Sequence, residues 1–270
     1  MLVILLLLIA VNCYALDSVT DTYHYAIGRL LCNEAEDILL GNISRLSDRY
    51  RLDLISLAKL NGESFRILRN LMYAKYGHIF ASKELTEYFS RFAWYKPTRA
   101  VSDSDLNEVD RINIRIIQEF EKMDEKRKTI TWGPEKEGVW QHGYGMAAGW
   151  SDRFVIYSDN RMEFLFSQMA ELKLIESLVG TYSIRGNVLV FSVSQIDIYN
   201  HDAEYEYSSC YGFEWKNSVK NTVYFEKPLI LRFPVSEILT ENEYNIPDVL
   251  CVKIGGYVFY KKEEDVTKKN

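Results

Sequence analysis

The sequence has little of what most recognisable chemistries require. Its 270 residues include four cysteines and four histidines, with no Cys-x-x-Cys pair and no helical His-x-x-x-His spacing. No local pattern for a zinc or thiol-redox site exists, and His24, His78, His142 and His201 are dispersed. A Gly-x-Ser-x-Gly elbow is missing. So is a glycine-rich loop that follows a strand, opens a helix and supplies a lysine. Neither a metal nor an organic cofactor is expected. No apolar run reaches the roughly 20 residues of a membrane-spanning helix. Lys and Arg number 32 against 38 Asp and Glu, a net charge of −6, so nucleic acid is not an expected partner. Repeats and low-complexity tracts are absent.

What is present describes a globular protein: 47% hydrophobic and 26% charged residues, with 19 tyrosines suited to sheet faces and amphipathic surfaces. Leu2 to Val11 is an unbroken apolar run, followed by small residues at Cys13 and Ala15. That pattern predicts a signal peptide over residues 1–15 and an extracytoplasmic location; a buried N-terminal helix or strand is the alternative. Ala10-Val11-Asn12-Cys13 loosely resembles a bacterial lipobox, although Asn12 departs from the usual small residue. Cys13 is therefore a candidate for lipidation, and such an anchor is the one membrane contact expected. Cys210 and Cys251 are candidates for a disulfide worth about 4 kcal/mol by chain entropy. Two buried thiols satisfy the sequence equally well. Cys32 falls on an apolar helical face.

Along the chain, residues 16–60 read as a helical lead-in, with Tyr23, Ile27, Ala35 and Ile38 near one stripe and a stop at Gly41-Asn42. Ser47 or Asp48 is the expected cap of the next segment. Residues 61–128 form a helical unit. A helix over Ser64 to Tyr76 ends at Gly77, Ser82 caps a short helix, and Ser102 with Asp105 has capping-box spacing ahead of a long helix through Phe120. The charged stretch Glu119 to Lys128 reads as a helix end and linker. Residues 129–262 carry strand signals. Phe154–Phe166 forms one hairpin and Gly180–Val193 another; Thr222–Glu226, Leu229–Phe233, Val249–Ile254 and Tyr257–Lys261 are further strands. Residues 263–270 are a charged tail. The fold class is α+β, with an antiparallel meander that favours a closed or half-closed barrel.

Tyr73-Ala74-Lys75-Tyr76-Gly77-His78-Ile79-Phe80, Ser82-Lys83-Glu84-Leu85 and Trp94-Tyr95-Lys96-Pro97 together resemble the YARHG domain family over roughly Asn61 to Glu121. Lys75 stands in place of the motif arginine and Tyr76 in place of its histidine. The resemblance implies an exported bacterial protein and no established activity. Tyr73, Ala74, Lys75, Tyr76 and Gly77 then read as a folding signature: a glycine stop, packed aromatics and a cation near a helix C-terminus. More weakly, Gly180-Thr181-Tyr182-Ser183-Ile184 and Gly186-Asn187-Val188-Leu189 resemble lipocalin-like barrels.

Candidate binding residues are the aromatics Trp94 and Tyr95, and Tyr144 and Trp150 within the glycine-rich Gly143–Trp150 segment. In each case core or strand packing is the competing use. Asp202, Glu204 and Glu206 would share one strand face, as an exposed edge or as acid and base. Two functions result. One is a non-enzymatic envelope protein, its helical module serving interaction or spacing and its barrel binding a small ligand or an envelope component. The other is an envelope-polymer hydrolase using carboxylates of the β region.

Overall fold

The computed structural model describes residues 30, 34–46, 51–143, 151–167, 175–200, 205–208, 212–215, 219–240 and 249–262. The signal-peptide segment, Cys13, Cys32, the Ser47-Asp48 cap, Tyr144, Trp150, Cys210 and the charged tail lie outside the described residues.

Among the described residues the helices are α1 (Glu34–Leu39), α2 (Leu54–Ala58), α3 (Gly62–Ala74), α4 (Lys83–Phe89) and α5 (Glu108–Glu121). Each boundary from α2 onward has a polar side chain taking up an orphan N–H. Asp53 accepts from Ser56 N at 2.6 Å, Asn61 from Ser64 N, Ser82 from Leu85 N, and Asn107 from Asp110 N at 2.7 Å. The Ser102–Asp105 box caps a 3₁₀ turn over Asp103–Asp105 and not the long helix, because Leu106 is extended and breaks the run. Asn107 starts α5. Phe65, Leu68, Leu71 and Met72 of α3 meet Ile114, Ile117 and Phe120 of α5 in one buried cluster, with the Phe65 and Phe120 rings 5.1 Å apart. No helix among the described residues is long and apolar enough to cross a membrane.

The strands are β1 (Gly138–His142), β2 (Arg153–Ile156), β3 (Arg161–Leu165), β4 (Ile175–Arg185), β5 (Val188–Asn200), β6 (Tyr205–Ser208), β7 (Gly212–Trp215), β8 (Val219–Pro234), β9 (Cys251–Ile254) and β10 (Tyr257–Lys262). Eight form an antiparallel sheet in the order β8-β5-β4-β3-β2-β1-β10-β9, and β6 pairs with β7 separately. The two strands expected over Thr222–Glu226 and Leu229–Phe233 are one strand, β8. Its ladder jumps from Val193↔Leu229 to Gln195↔Tyr224. Pro228 falls inside that jump, where no ladder N–H is required.

The sheet is not closed into a barrel, so the lipocalin-like barrel expectation is corrected. Edge strand β8 has sixteen residues and edge strand β9 has four. Four residues cannot pair along sixteen. Past the end of β8, isolated bridges join Val235 to Ile254 and Leu239 to Cys251. Helices cover this flank. A Cβ on Gly255 would collide with Leu54, and one on Gly256 would come within 3.3 Å of the Ile116 Cα. The inner face is apolar: the Phe154 ring lies 5.8 Å from Phe233 and 5.0 Å from Phe259. The same hydrophobic cluster continues into the helices. Residues after α5 dock on the β4–β5 turn. Asp124 N donates to Asn187 Oδ1 (2.7 Å), Asn187 Nδ2 to the Lys122 carbonyl (3.0 Å) and Ile130 N to the Gly186 carbonyl (2.8 Å).

Candidate functional site

Gly77 adopts φ +78°, the left-handed region that ends α3, and a Cβ there would approach the Lys96 carbonyl oxygen to 2.6 Å. Its own carbonyl accepts from Thr98 N at 2.9 Å. The turn therefore presses the C-terminus of α3 onto the segment that leads into α5. Lys75 crosses the gap. Its Nζ lies 2.7 Å from Oδ2 of Asp110, whose side chain is 0% exposed, and the Tyr76 hydroxyl donates to the same oxygen at 2.7 Å. Burial and this bond raise the Tyr76 phenol above its ordinary value. Tyr73 donates to Asp103 Oδ1 at 2.6 Å, and burial with this contact pushes its pKa up to about 12. His78 Nδ1 accepts from Val101 N at 2.9 Å. This assigns the ring proton to Nε2. Ala74 is buried. Tyr73, Ala74, Lys75, Tyr76 and Gly77 thus act as a clasp between two helices.

Asp110 Oδ1 is buried with no hydrogen-bond partner among the described residues. The geometry explains the residue that stands in place of the motif arginine. A guanidinium at position 75 could meet both carboxylate oxygens, whereas the Lys75 ammonium meets one. Asp110 was not singled out in the sequence; its helix neighbour Asn113, noted there only for its place on the helix, accepts from Leu52 N at 3.0 Å. Both are polar residues on an otherwise apolar helical stripe, and that irregularity is the signal that points to them.

Trp94 and Tyr95 join an aromatic group with Phe80, Tyr88, Phe89 and Phe92. Tyr95 is buried and donates to the His78 carbonyl at 2.7 Å. Trp94 is half-buried, stacked on Phe92 at 5.5 Å, and its indole N–H donates to the Gly41 carbonyl at 2.8 Å. These rings fasten α4 to the turn after α1. Of the remaining candidates, Cys251 is buried in β9 opposite Tyr260, and Glu206 lies in β6 opposite Glu214. Asp202 and Glu204 lie outside the described residues. Among the described residues no His, Cys, Asp and Glu grouping could hold a metal ion.

The perturbed ionisable groups meet elsewhere, where the segment before α2 touches one end of the sheet. The His142 ring packs edge-on against Tyr257 at 5.2 Å and lies 5.7 Å from Phe259. Tyr257 donates to the Leu52 carbonyl at 3.0 Å, and Arg51 lies 5.9 Å from its ring centre. Across the β1–β2 pair, Asp152 accepts from Ser167 N through Oδ1 at 2.7 Å. Burial pushes the Asp152 carboxyl up to about 6, the Ser167 N–H opposes this, and the Asp53 charge adds to it. Burial lowers the His142 imidazole, and Arg51 lowers it further. The Tyr257 phenol is raised by burial, against Arg51. Burial thus shifts both groups toward their neutral forms. Arg51, Asp152 and Tyr257 are sites that reading the sequence missed. They stand far apart in the chain, and the register of β1, β2 and β10 together with the docking of the segment before α2 brings them together.

The YARHG domain family matches residues 42–122, some twenty residues earlier than the motifs alone indicate. The added stretch includes α2 and Leu52, which bonds to Asn113 of α5. No curated protein and no solved structure matches the chain. The chain is a YARHG domain-containing protein, with that domain at residues 42–122.

Proposed function

We propose that this is a non-enzymatic, exported protein of the bacterial cell envelope. Its YARHG domain serves as an interaction or spacer module, and its open sheet meets a ligand or a protein partner. The observation that carries the reading is the clasp. The polar groups of the family motif are engaged with Asp110, Asp103 and Val101, holding helices together. The apolar run Leu2 to Val11 with Cys13 and Ala15 supports export. For the hydrolase alternative, the carboxylates that the sheet does bring together, Glu176 and Asp197, share one ammonium. Lys220 Nζ lies 2.9 Å and 3.0 Å from them. That arrangement offers no separated acid and base across a cleft.

Intact-mass measurement of the native protein tests the export. A chain beginning after Ala15, or an acylated chain beginning at Cys13, is expected; a mature protein still beginning at Met1 overturns it. Release of soluble fragments from purified cell-wall material by the folded chain would overturn the non-enzymatic part.

A further inference from the structure

On β8, Val223 and Phe225 pack against the core, so Lys220, Thr222 and Tyr224 point to the opposite face of the sheet. Thr222 pairs across the ladder with Asp197 of β5, Tyr224 pairs with Gln195, and Ser177 of β4 pairs with Asp197. The Asp197 carboxylate gathers these groups. It accepts from Thr222 Oγ1 (2.8 Å), Gln195 Nε2 (3.1 Å) and Ser177 Oγ (3.0 Å), with Lys220 Nζ at 3.0 Å. Burial would raise its pKa, but these bonds outweigh burial and hold it below the ordinary carboxylate value. Beside this fixed network the Tyr224 ring stands 73% exposed, the largest such aromatic surface among the described residues.

The geometry points to a binding site for a neutral saccharide on the outer face of β5 and β8, with Tyr224 as the stacking platform. A pyranose has an apolar C–H face and a rim of hydroxyls. The C–H face suits the electron-rich face of a phenol ring. The rim needs donors and acceptors together. Thr222 Oγ1 and the Gln195 amide oxygen can accept, and the second Gln195 N–H and a third Lys220 hydrogen can donate. Because Asp197 already fixes these side chains, little ordering cost remains on binding. Glu176, Asp197 and Lys220 sum to one negative charge, which disfavours phosphate and other anions. The inference rests on reading the sheet as the ligand-meeting part of the protein.

The test uses the full chain and three probes of different stereochemistry: cellotriose, maltotriose and triacetylchitotriose. Saturation-transfer NMR is expected to show contact with at least one, strongest at ring C–H protons, with Kd on the order of 1 mM or tighter. Tyr224→Ala should weaken that binding about tenfold, and Tyr224→Phe should keep it within about twofold. Gln195→Ala should weaken it severalfold. Inorganic phosphate should not compete. The thermal midpoint of each variant verifies folding, and Tyr224 is exposed enough for its replacement to leave the midpoint unchanged. No transfer from any of the three, full binding by Tyr224→Ala, or displacement by phosphate would overturn the inference. None of those results bears on the export measurement, so the two failures are distinguishable.

Discussion

Asp152→Asn should make the protein more stable at neutral pH and change little in acid. The Asp152 carboxyl is raised from the ordinary 3.8 to about 6, chiefly by burial. Each pH unit of displacement corresponds to about 1.36 kcal/mol, so the ceiling is about 3 kcal/mol. Asp152 is half-buried, and solvent screening lowers the expected gain to about 1–2 kcal/mol. The folded state holds this proton more tightly than the unfolded chain. Its contribution to stability is therefore complete below about pH 4 and is lost as pH rises through about 6. Asparagine removes the penalty above pH 6 while its amide oxygen still accepts from Ser167 N. Urea unfolding of the full chain at pH 7.5 and pH 3.5 measures the difference, read as a shift in midpoint at constant slope. A variant no more stable than wild type at pH 7.5, or equally shifted at both pH values, refutes the reasoning. Asp53→Asn offers a companion. It retains the cap on Ser56 N but removes the charge that helps raise Asp152, so the pH dependence should weaken.

Three further outcomes follow from the clasp and the turn. Lys75→Met strands the Asp110 carboxylate in the interior and should cost about 3–5 kcal/mol in denaturant unfolding, whereas Lys75→Arg should be neutral or stabilising by about 1 kcal/mol through the second carboxylate oxygen. Gly186 sits at φ +57° with no room for a Cβ beside the Asp124 carbonyl, so Gly186→Ala should destabilise by more than about 1 kcal/mol and raise amide exchange at Asp124 and Ile130.

The helices were legible because their determinants are local. A stop at Gly77, a cap at Ser82 and an apolar stripe through Phe65, Leu68 and Met72 lie within a few residues of one another. The hairpin over Gly180–Val193 is legible for the same reason, its turn being set by Gly186. Barrel closure was not legible. It depends on whether the first and last strands of the sheet match in length, and hairpin signals carry no information about partners more than one turn away. The capping-box spacing at Ser102 is legible, but spacing alone cannot distinguish a 3₁₀ turn from an α-helix start. Motif residues were found because they are contiguous, yet the contact that gives Lys75 its purpose is with Asp110, a residue in the next long helix. The junction of Arg51, His142, Asp152 and Tyr257 exists only through strand register and helix docking, so no window of sequence contains it.

The bonds from Asn187 to Asp124 and Lys122 have a mechanical meaning. They stitch the turn of the longest hairpin to the end of the YARHG domain and the residues just past it, while Leu54 and Phe120 lie against Gly255. The Tyr257 bond to the Leu52 carbonyl adds a further tie between the two parts. A load on the sheet would be shared among these ties before it reached the clasp at Lys75 and Asp110.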